Sequence, residues 1–136
     1  MRPLHRRAVL LRIAGALAAA LAAGQSFADP PPALGSVVFA PGTHSLSTEA
    51  KAELNKLVAW LKANPDRKVR LAGHSDDPGS DEYNLAIGER RASSVKAYLV
   101  ACGIAASRLT TVSYGRFRSQ PGAGTRNARV DLVIED

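Results

Sequence analysis

Only one cysteine, Cys102, occurs in the 136 residues. It has no partner for an internal disulfide, and a single thiol without patterned histidines supplies too few ligands for a zinc site. Its place near the end of an apolar helix predicts a buried small hydrophobe. Aromatic residues make up 5% of the chain, and no Lys/Arg cluster is interleaved with them, which argues against a nucleic-acid surface. Histidine is scarce too. Beyond the N-terminal region only His44 and His74 remain, so neither a base–nucleophile pair nor a metal centre has its usual parts. No catalytic residue, metal or cofactor is expected. His74-Ser75-Asp76 could supply a histidine and a carboxylate, but no third ligand is patterned nearby. A histidine at a strand end is expected to serve as a structural hydrogen-bonding group.

Acidic residues are missing from the first 28 positions, which carry Arg2, Arg6, Arg7 and Arg12. An Ala/Leu-rich run from Ile13 to Ala23 follows, and Ser26-Phe27-Ala28 places small residues where a signal peptidase reads. Residues 1–28 are therefore expected to be a cleaved export signal, through either the general or the twin-arginine route (Arg6-Arg7-Ala8-Val9-Leu10). The apolar run is shorter than the roughly 20 residues of a membrane span, so no span is expected in the mature chain. No cysteine stands at the cleavage point to carry a lipid. The formal charge of +6 is largely this segment's, since the residues beyond it hold 14 basic groups against 12 acidic ones. Residues 29–35 form a Pro-rich lead, and residues 36–136 suffice for one domain with one core.

What is present is patterned. Val37-Val38-Phe39 reads as a short strand closed by Pro41-Gly42. Ser47 or Thr48 can cap a helix in which Leu54, Leu57, Val58 and Leu61 recur at helical spacing. Val69, Leu71 and Gly73 alternate with Lys68, Arg70 and Ala72 as a half-buried strand. Asp77-Pro78-Gly79 turns, Ser80 or Asp81 caps a second helix, and Leu85, Gly88, Ala92, Val95 and Leu99 share one face of it. Gly103 supplies a stop. Leu109–Tyr114 and Arg129–Ile134 read as the last two strands. The order β-α-β-α-β-β predicts an α+β two-layer sandwich, with both helices on one face of a mixed sheet. Mid-helix Gly88 is either a close-packing point or a propensity defect of about 1 kcal/mol.

The second helix carries adjacent arginines. Arg91 lies on the flank of the apolar stripe, between Ile87 and Val95, and is expected to be partly shielded from water. Arg90 points away and is expected to be solvated. A shielded charged hydrogen bond contributes about 1.5–3 kcal/mol, whereas an exposed pair contributes about 0–1, so Arg91 is the stronger ligand candidate. Asp76, at the strand end, is its possible acidic counterpart. Together the two would suit a small zwitterion. Spacing alone does not show that they meet, and Asp76 could instead bond turn amides.

At these residues the chain resembles the OmpA-like peptidoglycan-binding domain family, closest to its peptidoglycan-associated lipoprotein branch. The resemblance rests on Gly73-His74-Ser75-Asp76, Gly79, Tyr83-Asn84, Gly88-Glu89-Arg90-Arg91-Ala92, Val95, Gly103-Ile104, Ser113-Tyr114-Gly115, Asn127 and Arg129-Val130. It implies non-catalytic binding of peptidoglycan stem peptide in the periplasm, peripheral to the outer membrane. Asp76 and Arg91 would grip the zwitterionic end of diaminopimelate. Ile87 would lie beside the ligand, and Asp77, Gly79 and Asn84 would complete the pocket. Three departures stand out: Gly42 where the family often has Asp or Asn, Ala128 in place of an arginine, and a short segment between Gly115 and Asn127. The alternative is an envelope protein-docking module of the same fold, for which Arg116-Phe117-Arg118 could serve.

Overall fold

Serines open both long helices. Ser47 Oγ accepts from the Ala50 amide at 3.0 Å and starts α1 (Thr48–Ala63). Ser80 Oγ accepts from the Tyr83 amide at 3.0 Å and starts α2 (Asp81–Ala101). Each hydroxyl satisfies an amide that a first turn leaves without an intrahelical carbonyl. Glu49, Asp81 and Glu82 add negative charge where the helix dipole favours it. The end of α2 is closed by Gly103, at φ 102°, whose amide donates to the Val100 carbonyl while that of Ile104 donates to Leu99. This paired closure needs a residue without a Cβ.

The strands are β1 (Ser36–Val38), β2 (Lys68–His74), β3 (Leu109–Gly115) and β4 (Arg129–Glu135), with 3₁₀ turns at Ala106–Arg108 and Gly124–Asn127. They form one sheet in the order β1-β4-β2-β3, parallel between β2 and β3 and antiparallel elsewhere. These elements come from a computed structural model that describes residues 35–135. The expected export signal, its expected cleavage point and the Pro-rich lead up to residue 34 lie outside the described residues. No helix among those described is long and apolar enough to cross a membrane.

The architecture is the expected α+β sandwich. Leu54, Leu57 and Leu61 of α1 and Ala92, Val95 and Leu99 of α2 join Val37, Val69, Leu71, Val130 and Leu132 in one buried cluster. Gly88 marks a close approach of helix to sheet. A Cβ on Gly73 would stand 1.8 Å from the Gly88 carbonyl oxygen, and one on Gly88 would stand 2.2 Å from Ser113 Oγ. Backbone therefore lies on backbone at this crossing, and the propensity-defect reading of Gly88 falls away.

Two expectations need correction. β2 is not half-buried along its length: from Leu71 to His74 every residue is buried. It is a central strand, and its outer face is covered by groups from β3 and β4. Cys102 is only half-buried, because it caps the end of α2 at the edge of the core.

Candidate functional site

Arg91 is one of the most deeply buried side chains, at 0% exposure. This corrects the partly shielded position expected of it. Gly88, one turn earlier, draws α2 so close to β2 that the guanidinium lies beneath the strand end. Its Nη1 donates to the His74 carbonyl at 2.9 Å, and its Nε donates to the Thr43 carbonyl at 2.8 Å. The Phe39 ring lies 5.6 Å from the guanidinium carbon. Nη2 is buried and has no hydrogen-bond partner among the described residues. Burial pushes the Arg91 pKa down, and the negative charges of Asp77 and, to a smaller degree, Asp76 pull against it. Arg90 is exposed, as expected.

The acidic residues sit on the segment between β2 and α2. Asp76 is exposed, and its Oδ2 accepts from Asn127 Nδ2 at 2.8 Å. Its other oxygen is uncommitted among the described residues. Asp77 turns the other way, and its Oδ2 accepts from the Gly42 amide at 3.1 Å. The loop after β1 is thereby tied at both Gly42 and Thr43 to the loop and helix of the site. Gly42 adopts φ 69°, a left-handed conformation that favours glycine.

Asn84 is fully buried. Its Nδ2 donates to the carbonyls of Asp77 and Ser80 at 3.0 and 3.1 Å, and its Oδ1 accepts from Ser75 Oγ at 2.7 Å. Its amide is thus engaged in shaping the loop. Gly79, at φ 142°, accepts from Arg116, which also pairs with Asp81 at 3.1 Å. Ile87 is buried one turn before Arg91. Asp76, Asp77, Asn84 and Arg91 therefore gather around the end of β2, with Gly79 on the same loop and Ile87 one turn before Arg91 on α2.

Sequence reasoning missed the groups that hold Asp76. Asn127 Oδ1 accepts from Arg129 Nη1 at 3.1 Å, and Arg129 Nε donates to Asp131 Oδ1 at 2.9 Å. Asp131 Oδ2 in turn accepts from His74 Nε2 at 2.9 Å. An unbroken polar chain thus runs from Asp76 to His74, whose carbonyl anchors Arg91. Burial pushes the Asp131 carboxyl up, but hydrogen bonds from His74, Ser36 and Arg129 outweigh it and hold the group well below the usual carboxylate range. His74 is the structural hydrogen-bonding group expected of a strand-end histidine. The alternation of Arg129 and Asp131 along β4 was the available signal, since period-2 residues share one strand face, with Asn127 in the turn just before them.

The OmpA family model matches residues 38–131. The peptidoglycan-associated lipoprotein of Haemophilus influenzae is 40% identical over 102 residues, covering 75% of this chain and 67% of that protein. Its counterpart from Rhizobium meliloti is 38% identical over 80 residues, covering 59% of this chain and 46% of that protein. The chain thus spans about half to two thirds of the length of these curated relatives. The crystal structure of the peptidoglycan-associated lipoprotein from Burkholderia pseudomallei superposes with a TM-score of 0.71 at 30% identity, covering 79% of this chain and 95% of that one. None of the three is named for a catalysed reaction. With sequence and fold agreeing from β1 into β4, the chain belongs to the OmpA family.

Proposed function

We propose that this domain binds peptidoglycan stem peptide in the periplasm, without catalysis, by holding the zwitterionic end of diaminopimelate between Asp76 and Arg91. The observation that carries the reading is the unpartnered Nη2 of Arg91. A buried donor without an acceptor costs about 1–3 kcal/mol, more when charged. A ligand carboxylate would relieve that cost, and guanidinium and carboxylate match in shape as well as charge. The uncommitted oxygen of Asp76 suits the ammonium, and Ile87 offers an apolar wall to the connecting methylenes. Asp77, Gly79 and Asn84 shape the loop. Because Arg91 has no exposed surface, the ligand reaches Nη2 only by displacing the groups that cover it.

The relatives' names support the wall as target, and the unmet donor supports a carboxylate as the recognised group. The docking alternative rests on Phe117, 66% exposed between two arginines.

Co-sedimentation with purified sacculi, with and without free diaminopimelate, tests the proposal. The parent should pellet and free diaminopimelate should release it. Asp76→Asn should abolish pelleting while unfolding stays cooperative, and Arg90→Ala should pellet like the parent. Arg91→Ala is a poorer probe, because it also frees the Thr43 and His74 carbonyls. Pelleting that survives Asp76→Asn, or a parent that stays in solution, overturns the reading.

A further inference from the structure

A second polar site lies on the sheet face turned away from the helices. It is a cleft of about 300 Å³ lined by Ser36 and Val38 of β1, the Gln120–Ala123 turn, Arg126, Arg129 and Asp131. Two of its residues are cations with donors to spare. Arg129 is 7% exposed, and its Nε and Nη1 are committed to Asp131 and Asn127, while its Nη2 makes no hydrogen bond among the described residues. Arg126 is exposed and commits only Nε, to the Ala123 carbonyl at 3.3 Å.

Among the described residues, Asp131 is the sole acid lining the cleft. Its oxygens are already occupied, one by Ser36 Oγ at 2.6 Å and Arg129 Nε, the other by His74. It therefore neutralises part of the positive charge without claiming the remaining donors. What is left is a net positive cleft whose free N–H groups come from guanidinium ends, the donors best shaped for a carboxylate.

The cleft adjoins the Asp76 site through one side chain. Asn127 donates to Asp76 with its amide nitrogen and accepts from Arg129 with its amide oxygen. Two such hydrogen bonds across one amide put the Asp76 carboxylate and the Arg129 guanidinium no more than about 8 Å apart. An extended peptide crosses that distance in two or three residues at roughly 3.3–3.6 Å each.

We infer that this cleft is an anion subsite that takes a second carboxylate of the same stem peptide whose diaminopimelate occupies the Asp76–Arg91 site. The inference rests on the function proposed above. Two carboxylates of such a peptide lie within reach: the α-carboxylate of the glutamate preceding diaminopimelate, and the carboxylate of the C-terminal residue. Both offer the same chemistry to Arg126 and Arg129.

Calorimetry with four synthetic ligands separates the sources and the two sites. The ligands are meso-diaminopimelate, the stem tetrapeptide, the tetrapeptide amidated at glutamate, and the tetrapeptide amidated at its C-terminus. One of the two amidations should weaken binding by about tenfold or more, as loss of a charged hydrogen bond does. In Arg126→Gln that preference for acid over amide should shrink severalfold. The amidation that matters names the carboxylate. If both amidated peptides bind the parent within twofold of the acid, the subsite is overturned, whether or not free diaminopimelate binds. If free diaminopimelate does not bind while the acid-over-amide preference persists and shrinks in Arg126→Gln, the Asp76–Arg91 reading falls and the cleft stands only as a carboxylate site for the stem peptide in its own right. If no ligand binds, both fall.

Discussion

One sheet presents two faces made on different principles. On the inner face, Val37, Val69, Leu71, Val130 and Leu132 meet the aliphatic stripes of both helices. On the outer face, one residue out of step, Ser36, His74, Arg129 and Asp131 are joined by hydrogen bonds. Strand register enforces the separation, since Ser36 pairs with Asp131 and His74 with Arg129, while Val37 pairs with Val130. The inner face needs volume and shape, which many aliphatic combinations supply. The outer face needs each donor matched to an acceptor, because an orphaned buried charge costs more than a lost methyl. The inner face thus secures the fold, and the outer face fixes where Asp76 stands.

The contrast can be broken most severely at the one point where the inner face has no side chain to yield. Gly73→Ala drives a Cβ into the Gly88 backbone, and a loss of about 4 kcal/mol or more is expected. Urea unfolding should find the variant unfolded or nearly so, and a well-folded Gly73→Ala would refute the backbone-on-backbone crossing. Next in size is Leu57→Ala, fully buried in the core. It should cost about 2–5 kcal/mol through the cavity it leaves. The loss should be the same with and without diaminopimelate bound, apart from the ligand's own stabilisation. A shift in ligand affinity would show that the two faces are coupled.

The outer face gives the smallest change in stability and the most specific one. Asp131 titrates below its unfolded value, so its contribution is present above about pH 4 and is lost as pH falls further toward the native value. Asp131→Asn should therefore cost about 1–3 kcal/mol at pH 7, and the gap from the parent should narrow below pH 4. It should also weaken ligand binding through the chain to Asp76, an effect Leu57→Ala lacks. A pH-independent gap would remove the ionised Asp131 from the account.

The legible parts of the molecule are local. Ser47 and Ser80 announce their helices because a cap acts within three residues, and the α1 stripe follows from helical period alone. Gly103 could be read as a stop for the same reason. The site was legible only in fragments. Asp76 and Arg91 were singled out by charge and by the family motif, yet neither showed how deep Arg91 lies. Burial beneath a strand end depends on how closely α2 approaches β2, and that depends on Gly73 and Gly88 meeting across the layer. Asn127 was visible as a motif residue without a task, because its partner Asp76 lies 51 positions away. Asn84 was visible as a candidate ligand group, and only the structure shows its hydrogen bonds to Ser75, Asp77 and Ser80.

By itself the sequence determined the order of elements, their caps and the aliphatic faces, because those follow from interactions within a turn or two of chain. Only the tertiary structure decided that Arg91 keeps one donor unmet, that Asn127 holds Asp76, and that Arg126 and Arg129 share a cleft. Those outcomes depend on strand register and on loop closure between distant segments, and neither is encoded in a local period.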